Sequence, residues 1–186
     1  AGEEYAFSFT ITNPGSGQES PSVSVEASGD AADYAASAMT RDTETSVLGI
    51  AGGASPLKVV EPVFTTKRIT QSTPASSASN VITVSISPTL DLSGSASAAI
   101  TLTNLTGAVL GESVTLGAVT GGQSGEGLFC GASADGTSGT AAWSAESSSL
   151  VLRLCTGATM SAGEEYAFSF TITNPGSGQE SPSVSV

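Results

Sequence analysis

The sequence predicts an all-β fold: an antiparallel β-sandwich, immunoglobulin-like or jelly-roll, with at most one short helix. Three observations carry that prediction. Apolar and polar residues alternate with period two in segment after segment, the pattern of a strand with one buried face. Turn-forming Gly, Pro, Asn and Ser separate those segments at short intervals. Ala1–Val25, AGEEYAFSFTITNPGSGQESPSVSV, recurs letter for letter as Ala162–Val186. Repeats that return after a fixed period mark arrays of one structural unit, here of about 160 residues. The chain stops in mid-pattern at Ser-Val-Ser-Val, letters that run on into Glu26-Ala27-Ser28-Gly29 in the first copy. A longer array is therefore expected to continue past Val186.

Taken in order, Tyr5, Phe7, Phe9 and Ile11 share one face of the first predicted strand, and Ala6, Ser8, Thr10 and Thr12 share the other. Asn13-Pro14-Gly15-Ser16-Gly17-Gln18 supplies a turn, since Pro presets φ and Gly accepts positive φ. Val23 and Val25 then open a second strand, so the duplicated segment reads as strand–turn–strand with one apolar face. Its copy places Tyr166, Phe168, Phe170, Ile172, Val184 and Val186 in the same roles. Residues 26–56 form an acidic, Ala/Gly-rich linker, and Asp30–Met39 is the one place where a short helix is expected. Val47–Ile50 and Lys58–Val63 read as short strands. Residues 57–186 form the sandwich proper. Its predicted strands are Phe64–Ile69, Val81–Ser87, Ala98–Leu105, Val114–Val119 and Leu150–Cys155. A polar loop spans Gln71–Asn80 and a Gly-rich turn spans Gly121–Gly127. Trp143 is expected in the core.

The composition narrows the function. The chain has no His, five Lys plus Arg against seventeen Asp plus Glu, and a formal net charge of −12. Such a surface repels phosphate backbones and anionic lipid, which argues against nucleic acid and membrane surfaces as partners. No apolar run is long enough to span a bilayer. The 39% apolar content and the strand patterning favour an ordered core over disorder. Glu3, Glu4, Glu164 and Glu165 flank the aromatic strands as charged guards against aggregation.

Few residues invite chemistry. Without His no Ser–His–Asp triad exists, and neither Lys58 nor Lys67 has a spacing that suggests a Ser–Lys pair. Acidic residues lie in loops, and Trp143 is the one candidate sugar platform there, so a carboxylate pair for glycoside hydrolysis lacks support. The chain is therefore expected not to be an enzyme, with no catalytic residue, no metal and no cofactor. Asp30, Asp33, Asp42 and Glu44 bring oxygens that Ca²⁺ would use, but they lack EF-hand or Gly-Gly-x-Gly-x-Asp spacing and read as a solvated loop. Cys130 and Cys155 end two strand-like runs. Closing a loop of about 25 residues, a disulfide there contributes roughly 3 kcal/mol and suits an oxidising, extracellular setting; the alternative is a pair of buried free thiols. Asn104-Leu105-Thr106 is the one N-glycosylation sequon, because Asn13 and Asn174 precede Pro. Ser72–Ser79 and Ser144–Ser149 are Ser-rich stretches open to O-glycans or to water alone.

An apolar strand pair does not stand alone in water, because its side chains and open backbone groups need a partner. If each unit holds one slot for this hairpin, two copies in a chain compete for it. The surplus copy then adds to a neighbour by β-strand addition, a head-to-tail link that grows without closing. The alternative is a beads-on-a-string array in which the first copy is the tail of the preceding domain. The strings PLKVVEPVFTTKRITQSTP, NVITVSISPTL and AAITLTNLTG, followed by the second duplicated copy, resemble repeats of very large extracellular proteins of algae and other protists. The resemblance covers most of Leu57–Val186 and is most specific at the Asn174-Pro175 turn with Gln179 and Pro182. Some relatives of that kind build mastigonemes or other surface filaments, although this chain has none of their Cys-rich EGF-like modules. The resemblance implies a surface or fibrillar role with identical neighbouring repeats as partners, forming a homopolymer. The rival expectation is a carbohydrate-binding or adhesive surface module, with glycans as partners and the array adding avidity.

Overall fold

The computed structural model describes residues 2–94, 98–120 and 123–186, so Gly121 and Gly122 of the expected Gly-rich turn lie outside the described residues. The chain divides into two compact units, Ala1–Glu61 and Pro62–Val186, and the described residues are almost wholly β.

The first unit has little to bury. Strand β1 (Ser24–Ala27) pairs antiparallel with β2 (Tyr34–Ala38), and all nine residues of the pair are exposed. The expected helix at Asp30–Met39 is thereby corrected to a hairpin arm. Alanine favours helix over other ordinary residues by only tenths of a kcal/mol, roughly 0.7 at most per residue, so a strand partner one turn away decides the outcome. Asp33 helps close the connection by accepting a hydrogen bond from the Gly29 N–H at 3.3 Å. The two short strands expected later in this unit are also corrected. Val47 and Ile50 exchange backbone hydrogen bonds of 3.2 and 3.0 Å across Leu48-Gly49. Both residues of that turn have positive φ, 51° and 77°, as a tight primed turn requires. Val59 makes a single antiparallel bridge, to Gln18.

The second unit is a sandwich. Its remaining strands are β3 (Phe64–Gln71), β4 (Ser79–Pro88), β5 (Leu92–Ser93), β6 (Ala99–Leu102), β7 (Ser113–Thr115), β8 (Gln123–Ser124), β9 (Thr140–Ser144), β10 (Ser149–Arg153), β11 (Thr159–Met160) and β12 (Tyr166–Thr173). One four-stranded sheet runs β3–β4–β12–β8 and the other β6–β10–β9–β7; β5 and β11 form a separate pair. Neighbours are antiparallel except β12 and β8, which are parallel. A 3-10 turn at Glu126–Leu128 is the helical element among the described residues.

Alternation places the core. Ile82, Val84 and Ile86 of β4 and Tyr166, Phe168 and Phe170 of β12 point from one sheet toward Ile100, Leu102, Val114, Trp143, Leu150 and Leu152 of the other. Each large side chain of this kind contributes about 1.5–3 kcal/mol when withdrawn from water. Trp143, on β9, belongs to this core as its isolation among short strands predicts. Cys130 and Cys155 form a disulfide (S–S 1.95 Å, Cα–Cα 5.0 Å) beside the antiparallel bridge Phe129–Leu154.

The seat of the duplicated segment

The residues expected to carry function form two identical sets, and the structure gives them opposite environments. In the second copy, Tyr166–Thr173 is an inner strand of its sheet. Tyr166 faces Ile86, Phe168 faces Val84 and Phe170 faces Ile82 in register across β4. Phe168 is fully buried and meets the ring of Phe129 edge-on, centroids 5.4 Å apart. Ile172 is half-buried against the same core. On the far side, Ser169 exchanges backbone hydrogen bonds with Gly117, and Thr173 with Val109. Gly117 admits this approach, since a Cβ there would lie 2.9 Å from Ser169 Oγ. The segments flanking β7, at Val109 and Gly117, thus close one side of the seat while β4 closes the other.

The turn after the strand is fastened by polar groups. Asn80, fully buried on β4, donates through Nδ2 to Asn174 Oδ1 at 2.8 Å and to Gln71 Oε1 at 3.0 Å. Its Oδ1 accepts from the N–H groups of Ser72 and Thr73 and from the Ser72 hydroxyl. Asn174 Nδ2 in turn donates to the carbonyls of Thr73 and Ala75. A buried amide with all its capacity used is stable, and the loss of one partner strands the others at about 1–3 kcal/mol each. Beyond the turn, Gln179 Nε2 donates to the Thr106 carbonyl at 3.0 Å, and Gly107, at φ 82°, leaves the room that Gln179 occupies. The arm ends beside the residue that follows β6, where Thr103 and Ser185 form an isolated antiparallel bridge with backbone hydrogen bonds of 2.9 and 3.3 Å. Val184 packs half-buried against the core, while Val186 remains 40% exposed.

The first copy has none of this. Tyr5, Phe7, Phe9 and Ile11 are 81%, 88%, 77% and 52% exposed. No backbone hydrogen bond among the described residues involves Gly2–Ser16. The expected first strand of the leading hairpin therefore does not form there, and the reason is the lack of a partner strand, since its letters match those of β12. Long-range hydrogen bonding begins at Gly17, whose N–H donates to Glu61 Oε1 at 3.0 Å, and at Gln18, whose side chain donates to the Leu57 carbonyl at 2.8 Å and whose backbone bridges Val59. Val23 lies just before β1, and Val25, within it, is 56% exposed.

Asn104, the sequon residue, sits exposed at the end of β6 with φ 65°, and its Nδ2 donates to the Ser183 carbonyl at 2.8 Å. Asp42 accepts the N–H groups of Glu44 and Thr45, and hydrogen bonds from Thr45 and then Glu44 hold its carboxyl below the usual range. Among the described residues no group of three or more Asp, Glu or Cys side chains is placed to hold a metal ion. Among the described residues no helix is long and apolar enough to cross a membrane. Sequence reasoning missed Asn80 and Gly117, each of which meets the duplicated segment; an Asn in alternation with Ile82, Val84 and Ile86, on the apolar face of β4, was the available signal for the first. Comparison with known proteins finds no matching family model, no matching curated protein and no matching solved structure.

Proposed function

We propose that this chain is a structural repeat unit of an extracellular filament or sheath, joined head-to-tail by β-strand addition through the duplicated hairpin. One observation carries the reading: identical residues are the buried inner strand of the sandwich at Tyr166–Thr173 and an exposed, unpaired strand-former at Tyr5–Ile11. An exposed row of two Phe, a Tyr and an Ile is costly to leave in water, and its complement in shape, register and hydrogen bonding is known from the second copy. The first copy of one chain therefore fits the seat that β12 fills in another, and head-to-tail addition extends without closing. The disulfide and the acidic surface suit a soluble assembly outside the reducing cytosol.

A specific observation favours an adhesive, carbohydrate-binding role as the second reading. Phe7 and Phe9 stack with centroids 6.5 Å apart, and Tyr34 is 72% exposed. Negative-stain electron microscopy of the full chain beside one lacking Ala1–Val25 separates the two. Filaments in the first that vanish in the second support strand addition. Single particles in both, with retained binding to a glycan array that depends on Tyr34, overturn it in favour of adhesion.

A further inference from the structure

The two copies differ in which side of their last strand is hydrogen-bonded, and the two sides are complementary. In the first copy, the Met39 N–H donates to the Val23 carbonyl at 2.8 Å, and Ser24 lies opposite Ala38. In an antiparallel ladder the backbone groups of successive residues point to opposite sides. Val23 and Val25 therefore face β2, and the N–H and C=O of Ser24 face away from it. In the second copy, the equivalent residue Ser185 directs those same two groups at Thr103, the residue that follows β6. One strand of this sequence thus satisfies β6 on one side and β2 on the other with no bond claimed twice.

We infer that Val23–Ala27 is a shared strand. Seated on β6 of a second copy of this chain through Ser24, and still holding its own β2 through Val23 and Val25, it continues the β6–β10–β9–β7 sheet into the donor's hairpin. The inference rests on the strand-addition reading and goes beyond it by fixing where the donor's next element lies. Charge agrees with the placement. The cleft where Val186 ends is walled by Lys67 and Arg68. The residue that follows the equivalent Val25 is Glu26, in a hairpin that adds Asp30 and Asp33 and contains no cation. The join is consequently a sheet with fixed register, which resists bending and twisting as a flexible tether does not.

The test is disulfide trapping between full-length chains. A chain carrying Ser24→Cys is mixed with one carrying Thr103→Cys, and a chain carrying Ser8→Cys with one carrying Thr83→Cys. The second pair copies the register of Ser169 opposite Thr83. A single chain with Thr103→Cys and Ser185→Cys serves as the geometric control. Crosslinks in both mixtures, with the Ser24 amide exchanging at least tenfold more slowly and the Met39 amide keeping its protection, support the shared strand. A Ser8–Thr83 crosslink without Ser24–Thr103 leaves strand addition standing and overturns the shared strand. Loss of Met39 protection in the trapped species also overturns it, because the hairpin has then opened. Absence of both crosslinks removes strand addition itself.

Discussion

Replacing Phe168 with Ala separates the seated copy from the free one and turns the duplication into a measurable equilibrium. Phe168 is fully buried between Val84 and Phe129. Its truncation leaves a cavity in a packed core and costs about 3–5 kcal/mol, of which about 0.5–1.5 belongs to the edge-on aromatic contact. Phe7→Ala, in the same local sequence but 88% exposed, costs the isolated chain no more than about 0.5 kcal/mol. The proposed strand addition adds a second consequence. A chain whose own strand is damaged by about 4 kcal/mol accepts an intact Tyr5–Ile11 strand from a neighbour with a preference raised about a thousandfold, since each 1.4 kcal/mol is a factor of ten. Urea unfolding followed by Trp143 fluorescence reads both effects, because Trp143 sits in the core that Phe168 completes. The Phe168→Ala chain is expected to be strongly destabilised when dilute and to recover on concentration, with dimers and longer species appearing. The Phe7→Ala, Phe168→Ala double variant is expected not to recover. A concentration-independent Phe168→Ala midpoint would refute strand addition, and an equal cost for Phe7→Ala in dilute solution would refute the exposure assigned to the first copy.

Other expectations follow from single sites. Asn80→Ala strands Asn174 and Gln71 and is expected to cost at least about 2 kcal/mol by chemical denaturation, whereas Asn13→Ala costs less than about 0.5. Reduction of Cys130–Cys155 removes roughly 3 kcal/mol and lowers the melting temperature of the sandwich by about 10 °C, read from Trp143 with and without reductant. Gly107→Ala puts a side chain at φ 82° against Gln179 and is expected to raise exchange at the Ser185 amide at least several-fold while the β12 amides stay protected. Asp42 has a lowered pKa, so its ordering of the Thr43–Thr45 turn is complete above the ordinary carboxyl value and is lost as pH falls through the lower one. Amide shifts of Glu44 and Thr45 followed by NMR are expected to titrate below the ordinary Asp range; an ordinary midpoint removes the hydrogen-bond assignment.

Much of the sandwich was legible because its strands keep strict alternation. Val81–Ser87 and Tyr166–Thr173 each present one apolar row, and the structure pairs those two rows directly. The cysteines were readable from their place at the ends of two strand-like runs, and the core position of Trp143 from its isolation. The environment of the first copy was not readable, since local propensity is the same for both copies and the partner strand alone separates them. Asp30–Met39 failed differently: its Ala-rich letters carry a weak helical preference that a single hairpin partner overrides. The polar hub at Asn80 was hidden because its partners lie at Gln71, Ser72, Thr73 and Asn174, and nothing in the spacing brings the last of these near.

The inner position of β12 has a consequence for the order of synthesis. Val84 leaves the ribosome well before Phe168, the residue it pairs with. The intervening stretch of about 80 residues takes roughly 4–16 s to make at ~5–20 residues per second. For that interval Ile82, Val84 and Ile86 have neighbours on β3 but none where β12 will lie. By then Tyr5–Ile11, the same letters in the same order, has been made in this chain and is displayed by any finished chain nearby. Under the proposed strand addition, crowded production biases the first occupant of the seat toward a neighbour's strand, and dilute production toward a strand of the same chain. The ratio of linked to unlinked units is, under the proposed strand addition, set during translation as well as by their final energies.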